Sequence, residues 1–76
     1  MTASDIFNRL AGISWEQNET GDWLAIKDDR IQAVVGLNDN GLMAATFNDP
    51  KFKDFETSGP IEEARDRVSK ILTGMF

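Results

Sequence analysis

Apolar residues recur with the spacing of an α-helix near both ends of the chain, which predicts one helix at each end. The first apolar stripe consists of Ala3, Ile6, Phe7, Leu10 and Ala11. The second consists of Ile61, Ala64, Val68, Ile71, Leu72 and Met75. Thr2 is suited to cap the first helix and Gly12 to end it. Gly59 and Pro60 open the second helix, with the proline at the first helical position, and Gly74 ends it.

Between these helices apolar and polar residues alternate, which is the pattern of β-strands. Four strands are predicted, at residues 13–17, 23–27, 30–37 and 42–47. The segments between them are rich in Asn, Asp and Gly, residues that favour turns. Asn40-Gly41 is the strongest hairpin turn, because both residues accept positive φ angles. Residues 51–58 are predicted to form a loop that Phe52 and Phe55 anchor to the core.

Each hairpin turn determines which strand residues face one another, and therefore which residues share a face of the sheet. The predicted two-residue turns are Thr20-Gly21, Asp28-Asp29 and Asn40-Gly41. The face that the helices cover is then expected to contain Ile13, Trp15, Leu24, Ile26, Ile31, Ala33, Val35, Leu37, Leu42 and Ala44. The opposite face is expected to contain Trp23, Ala25, Gln32, Val34, Gly36, Met43, Ala45 and Phe47.

These elements predict a single α+β domain over residues 1–76, with the order α-β-β-β-β-α. A four-stranded antiparallel meander forms one layer, and both helices pack on one face of it as the second layer. A chain of 76 residues is long enough for one small domain with a thin core.

The face opposite the helices is more apolar than is usual for a sheet surface that meets water. Its largest or branched apolar residues are Trp23, Val34, Met43 and Phe47. Because Trp, Met and Phe are enriched at protein interfaces, we expect these four to contact a partner. The alternative is that the last helix or the 48–58 loop covers part of this face. Trp23→Asp is accordingly expected to abolish binding and keep the fold, and Trp15→Asp to unfold the protein.

The composition excludes several kinds of chemistry. The chain contains no Cys and no His, which removes disulfides, thiolate nucleophiles, histidine bases and the usual zinc ligands. No glycine-rich loop followed by Lys and Ser or Thr is present to hold a phosphate. We therefore expect no catalytic residues, no cofactor and no metal site, and a protein that is not an enzyme.

The charge balance limits the partners. Thirteen acidic residues against eight basic ones give a net charge of −5. Direct binding to nucleic acid or to an anionic membrane is not expected, because both depend on clustered Lys and Arg. The sequence contains neither a membrane-spanning apolar run nor a basic start followed by an apolar stretch. The cytosol of a cell, or of a host cell, is therefore the expected location.

Much of the negative charge falls in the predicted turns, at the rim of the apolar face. These residues are Glu19, Asp22, Asp28, Asp29 and Asp39. One interpretation is that they only keep the protein soluble. The other is that they meet a basic partner, such as a protein that normally binds nucleic acid.

Three functions follow from this picture. The first is a non-enzymatic protein-binding module: a small acidic inhibitor of the anti-defence, immunity or antitoxin type, as phages and mobile elements encode. It would mask its partner with the apolar face and the acidic rim. The second is a homodimeric, structural or chaperone-like subunit of a larger assembly. The order helix, meander, helix is similar in topology to the acidic chaperones of bacterial secretion systems. The third is a metal-dependent enzyme that uses carboxylates only.

Overall fold

A five-stranded antiparallel sheet with one helix packed on it makes up the computed structural model, which describes residues 12–74. The strands are β1 (Ser14–Gln17), β2 (Trp23–Lys27), β3 (Arg30–Leu37), β4 (Met43–Phe47) and β5 (Phe55–Thr57), and the helix is α1 (Ile61–Thr73). The α+β class is confirmed. The predicted helix over residues 2–11 lies outside the described residues.

The sheet is a meander in which each strand pairs with the next along the chain, in the order β1-β2-β3-β4-β5. The prediction of four strands is wrong, because part of the expected 51–58 loop forms β5, in which Phe55 faces Ala45. The side chain of Asp54 accepts a hydrogen bond from the backbone N–H of Phe47 at 2.9 Å, which holds the connection beside β4. A strand of three residues is too short to show an alternating pattern in the sequence.

The β1–β2 and β3–β4 turns share one five-residue design. The N–H of Asn18 donates to the carbonyl of Asp22 at 2.9 Å, and the N–H of Asn38 donates to the carbonyl of Leu42 at 2.8 Å. In each turn the asparagine Oδ1 accepts the backbone N–H groups two and four residues further on. The fourth residue is glycine because its φ is positive, 91° in the first turn and 78° in the second.

These turns are one residue longer than a symmetric two-residue tip implies, and both registers shift accordingly. Trp15 faces Ala25 instead of the predicted Ile26. Leu37 faces Met43 instead of the residue after it. Because side chains alternate along a strand, a shift of one residue moves a whole strand's side chains to the other face.

The β2–β3 hairpin keeps its predicted turn but contains a bulge. Asp28-Asp29 forms the turn with positive φ at both residues, and Lys27 faces Arg30 as predicted. Farther from the turn the register shifts, so that Ala25 faces Ala33. The bulge inserts one extra residue into β3 and interrupts the alternation of side chains along the strand. Residues before and after the bulge that would share a face in a regular strand therefore lie on opposite faces.

Together these register shifts move the side chains of two of the four predicted strands to the opposite face of the sheet. We call the side that packs against α1 the helix face; it contains Trp15, Trp23, Ala25, Ala33, Val35, Met43, Ala45 and Phe47. We call the other side the second face; it contains Ser14, Glu16, Leu24, Ile26, Ile31, Val34, Gly36, Ala44, Thr46 and Glu56. The predicted faces of β2 and β4 are therefore wrong, and Ile31 and Leu37 are not core residues but 43% and 65% exposed.

The core lies between the helix face and α1. Its buried residues are Ile13, Ala25, Ala33, Val35, Ala45, Phe47, Ala64 and Val68. Helix α1 begins one residue later than predicted, since Pro60 is its N-cap and Ile61 its first residue. Gly74 ends the helix as predicted, in the left-handed conformation with φ of 72°.

Asn38→Ala is expected to lower the free energy of unfolding by about 1–2 kcal/mol. The substitution removes the acceptor of two backbone N–H groups and the donor to Glu56, and each such bond contributes about 0.5–1.5 kcal/mol. Thermal unfolding followed by circular dichroism measures the change, since a domain of this size loses about 4–8 °C of Tm per kcal/mol. Asn40→Ala in the same turn is the matched control. An equal loss in both variants would contradict the role of Asn38.

Candidate functional site

Phe47 is a core residue rather than a surface residue. Its side chain is only 7% exposed, and its ring contacts those of Phe52 and Phe55 at centroid distances of 5.4 and 6.3 Å. The expected anchoring of the 51–58 segment by these two phenylalanines is confirmed. The expectation that Phe47 lies on an uncovered sheet face is wrong, because the register of β4 turns it towards the core.

Trp23 and Met43 also pack against the core, on the helix face. The guanidinium of Arg65, on α1, lies 4.2 Å from the centroid of the Trp23 ring and 4.9 Å from that of Trp15. The two tryptophans therefore share a face and a cationic neighbour. Their assignment to opposite faces is wrong, because β2 is shifted by one residue relative to β1.

Val34 is the one residue of the predicted partner-binding set that lies on the second face. It faces Leu24 on one side and Thr46 on the other. The structure thus separates Val34 from Trp23, Met43 and Phe47, and these four do not form one exposed surface.

The centre of the second face is aliphatic. Leu24, Ile26, Val34 and Ala44 are half-buried, Ile31 is exposed, and none of the five belongs to the core cluster. Helix α1 packs on the opposite side, against β3 and β4. Among residues 12–74 no helix covers these side chains. A contiguous aliphatic surface of this kind is typical of a protein-binding site.

The strand pairing arranges the second face in three rows that cross the strands, from β1 or β2 towards β4 or β5. The first row contains Asp22, Gly36, Ala44 and Glu56, the second Glu16, Leu24, Val34 and Thr46, and the third Ser14, Ile26 and Ile31. Successive rows lie two residues apart along each strand, or about 7 Å, except across the bulge in β3, where Val34 and Ile31 are three residues apart. The aliphatic residues occupy the middle of the second and third rows.

All charged residues of these rows are acidic. Glu16 lies at the β1 edge, Glu56 at the β5 edge, and the carboxylate of Asp22 lies against Gly36. Any side chain at position 36 would collide with Asp22 Oδ1. No Lys or Arg occupies a second-face position of the described strands. An aliphatic centre with acidic edges favours a partner with basic groups around an apolar contact.

The predicted acidic rim is divided between the two ends of the sheet. Glu19, Asp22 and Asp39 belong to the β1–β2 and β3–β4 turns at one end, and Asp28-Asp29 forms the turn at the other end. Asp22 is the member of this set whose contacts place it on the second face. Glu16 and Glu56 complete the acidic edge and were not among the predicted rim residues.

The residues that sequence reasoning assigned to the wrong side are Leu24, Ile26, Ile31 and Ala44. Symmetric two-residue turns and a regular β3 predict that these residues face the helices, whereas the longer glycine turns and the bulge in β3 place them on the second face. The spacing Asn-x-x-Gly, which occurs in both turns, is the pattern that identifies the longer loop.

Two concavities meet near Gly36. One of about 170 Å³ lies on the second face, between Asp22, Val34 and Thr46. The other, of about 260 Å³, opens beside the first turn of α1 and is lined by Trp23, Met43 and apolar neighbours. Both are smaller than the ~300–1,000 Å³ of most small-molecule sites, and they suit single side chains better.

Neither a metal cluster nor a membrane-spanning helix is found in the described part of the chain. Within residues 12–74 the structure brings no three carboxylates close enough to hold a metal ion. No helix in this range has the length and apolar character needed to cross a bilayer.

Comparisons with protein-family models, with curated proteins and with solved structures gave no match to this chain. Its function must therefore be inferred from the second face and the charges around it.

Proposed function

We propose that the protein is a non-enzymatic protein-binding module that masks a basic partner with its second face. The observation that supports this proposal is the aliphatic centre, Leu24, Ile26, Ile31 and Val34, bordered by three carboxylates, with no Lys or Arg at a second-face position of the described strands. Aliphatic contact supplies binding energy, and the carboxylates favour partners with complementary charge.

The sign of the edge charges favours a different protein over a second copy of this chain. In a dimer formed through the second face, Glu16, Asp22 and Glu56 of one copy would approach acidic residues of the other. Juxtaposed like charges cost several kcal/mol at an interface. A partner with surface lysines and arginines, such as a nucleic-acid-binding protein, would instead gain favourable contacts at each carboxylate.

We further propose that the protein is an inhibitor of the anti-defence, immunity or antitoxin type, and that it acts in the cytosol. A 76-residue acidic chain that covers a basic surface would compete with nucleic acid for that surface. Electrostatic attraction would speed the encounter, so the association rate should fall as salt is added.

Val34→Asp is expected to weaken partner binding at least about tenfold, because it places a charge at the centre of the aliphatic contact. The partner is first captured from a lysate of the native host and purified, and its affinity for both proteins is then measured by calorimetry at two salt concentrations. Ser58→Asp adds the same charge at an exposed position outside both faces and is the matched control.

Three results would contradict this proposal. One is an equal loss of affinity in Val34→Asp and Ser58→Asp. Another is an association rate that does not change with salt. The third is a wild-type protein that sediments as a dimer and becomes a monomer in Val34→Asp, which would support the homodimeric subunit instead.

A further inference from the structure

We infer that the second face binds an amphipathic helix of the partner, and that an Arg or Lys side chain of this helix lies between Asp22 and Glu56. This inference rests on the proposed function and specifies the part of the partner that is recognised. The first row of the second face, Asp22, Gly36, Ala44 and Glu56, is the feature that leads to it.

The first row is a trough with a floor of small residues and acidic walls. Ala44 faces Gly36 on one side and Glu56 on the other. Gly36 has no side chain and the Asp22 carboxylate lies over it, so the open part of the floor is the single methyl group of Ala44. The concavity of about 170 Å³ is lined by Asp22, Val34 and Ala44, and Glu56 lies outside it, beside Ala44 on β5.

Neighbouring polar side chains lie against both carboxylates. The side-chain amide of Asn38 donates to Glu56 Oε2 at 3.0 Å, and the hydroxyl of Thr20 is shared between Asn18 Oδ1 at 2.8 Å and Asp22 Oδ2 at 3.1 Å. A partner cation therefore meets acceptors that are already oriented, which lowers the entropy that binding must overcome.

The second and third rows supply the apolar part of the contact. Leu24 and Val34 lie in the row next to the trough, and Ile26 and Ile31 in the row after it. The rows are about 7 Å apart along the strands. Residues four apart on one face of an α-helix are separated by about 6 Å, so a helix parallel to β3 can place one side chain on each row.

A helix suits this surface better than an added strand. The second face presents side chains rather than unpaired backbone groups, and the sheet already packs a helix, α1, on its other side. A helix with its side chains is about 10–12 Å wide, which matches two to three strands at a spacing of about 4.8 Å. The fitting helix has two apolar residues four apart and a basic residue one further turn along.

The charges of the trough determine the sign of the third residue. The aliphatic stem of Arg or Lys would lie on Ala44, and its cationic group would contact the carboxylates of Asp22 and Glu56. An acidic residue at that position would meet two carboxylates. A second copy of this chain presents acidic groups of its own on this face and does not provide the cation.

The test uses two synthetic 18-residue helical peptides and the intact 76-residue protein. One peptide has Leu, Leu and Arg at successive four-residue steps on one face, and the other has Glu in place of Arg. Each is titrated into ¹⁵N-labelled protein, and shift changes and Kd are measured by NMR. We expect the Arg peptide to shift second-face residues and to bind at least about fivefold more tightly than the Glu peptide, as two partly exposed charge pairs predict.

The double variant Asp22→Asn/Glu56→Gln is expected to lose that fivefold preference. Each substitution keeps an acceptor oxygen, so the bonds from Thr20 and Asn38 are retained. Asp28→Asn/Asp29→Asn changes the net charge equally at the other end of the sheet and should leave Kd within about twofold. Asn tolerates the positive φ of that turn.

The outcomes separate this inference from the proposed function. If the Arg peptide binds wild type and Asp22→Asn/Glu56→Gln equally but loses affinity for Val34→Asp, the inference about the trough is overturned and the apolar face is retained. If Val34→Asp also binds normally, or if shifts appear only on the helix face, the proposed function is overturned as well. Equal binding of both peptides overturns the inference alone.

Discussion

Phe47→Asp is expected to unfold the protein, whereas Val34→Asp is expected to leave it folded. Phe47 is buried among Phe52, Phe55 and the small residues of the helix face. Removing a buried aromatic ring costs about 3–5 kcal/mol, and an unpaired carboxylate in the core adds to that cost. A 76-residue domain has a total stability of about 4–11 kcal/mol, so the variant should be mostly unfolded at 25 °C.

Val34 is the matched position because it lies on the second face of the adjacent strand. A carboxylate there points towards water, and we expect a cost of about 1–2 kcal/mol from lost aliphatic contact and lower strand propensity. Far-UV circular dichroism and urea unfolding of the two variants give the comparison. If both variants stay folded with similar midpoints, the assignment of Phe47 to the core is incorrect.

Sequence reasoning predicted most of the elements of the fold correctly, but it assigned several strand faces incorrectly. Four of the five strands, their antiparallel order, the position of the last helix and the anchoring role of Phe52 and Phe55 all follow from spacing and turn composition. The faces of β2 and β4 do not, because they depend on the bulge in β3 and on whether the tip of a hairpin contains two residues or three.

Asn-Gly is favourable in a two-residue hairpin turn and also in a longer loop that ends in a glycine with positive φ. The choice between them depends on Asn38, whose Oδ1 binds two backbone N–H groups across the loop. Asn18 does the same in the first turn. An asparagine side chain that accepts the backbone N–H four residues further on lengthens the turn by one residue. The register of every residue pair in that hairpin then changes.

The bulge in β3 is harder to anticipate. Its turn, Asp28-Asp29, is symmetric and sets the first pairs as predicted. Beyond them the shift brings Ala25 against Ala33, two small residues that are both fully buried in the core. Close packing of the core favours this arrangement, and that preference is tertiary rather than local.

The sequence predicts the general character of the candidate site but not the residues that form it. An apolar sheet face with acidic groups at its rim was expected, and the second face has both features. Its apolar residues are aliphatic, because the aromatic ones lie on the helix face. Asp22 was expected at the rim. Glu16 and Glu56 lie at the rim of the second face because of the pairing of the two edge strands, β1 and β5. The sequence did not predict β5, because three residues are too few to show a strand pattern.

Trp23→Ala is expected to lower the free energy of unfolding by about 2–4 kcal/mol, close to the effect of Trp15→Ala. Both rings pack against the core from the helix face, and the Arg65 guanidinium lies over each. The loss is below the full cost of a buried tryptophan because both side chains are half-buried. Urea unfolding followed by far-UV circular dichroism measures both variants. Under the opposite assignment of faces, only Trp15→Ala would be destabilising.

A double-mutant cycle with Arg65→Met separates the contribution of the cation from that of ring packing. Methionine keeps an unbranched apolar side chain at position 65 and removes the charge. Because Arg65 is nearer to the Trp23 ring, at 4.2 Å against 4.9 Å for Trp15, we expect the larger coupling with Trp23, about 0.5–1 kcal/mol. Zero coupling with both rings would mean that the tryptophans stabilise the protein through packing alone. A larger coupling with Trp15 would contradict the closer contact of Arg65 with Trp23.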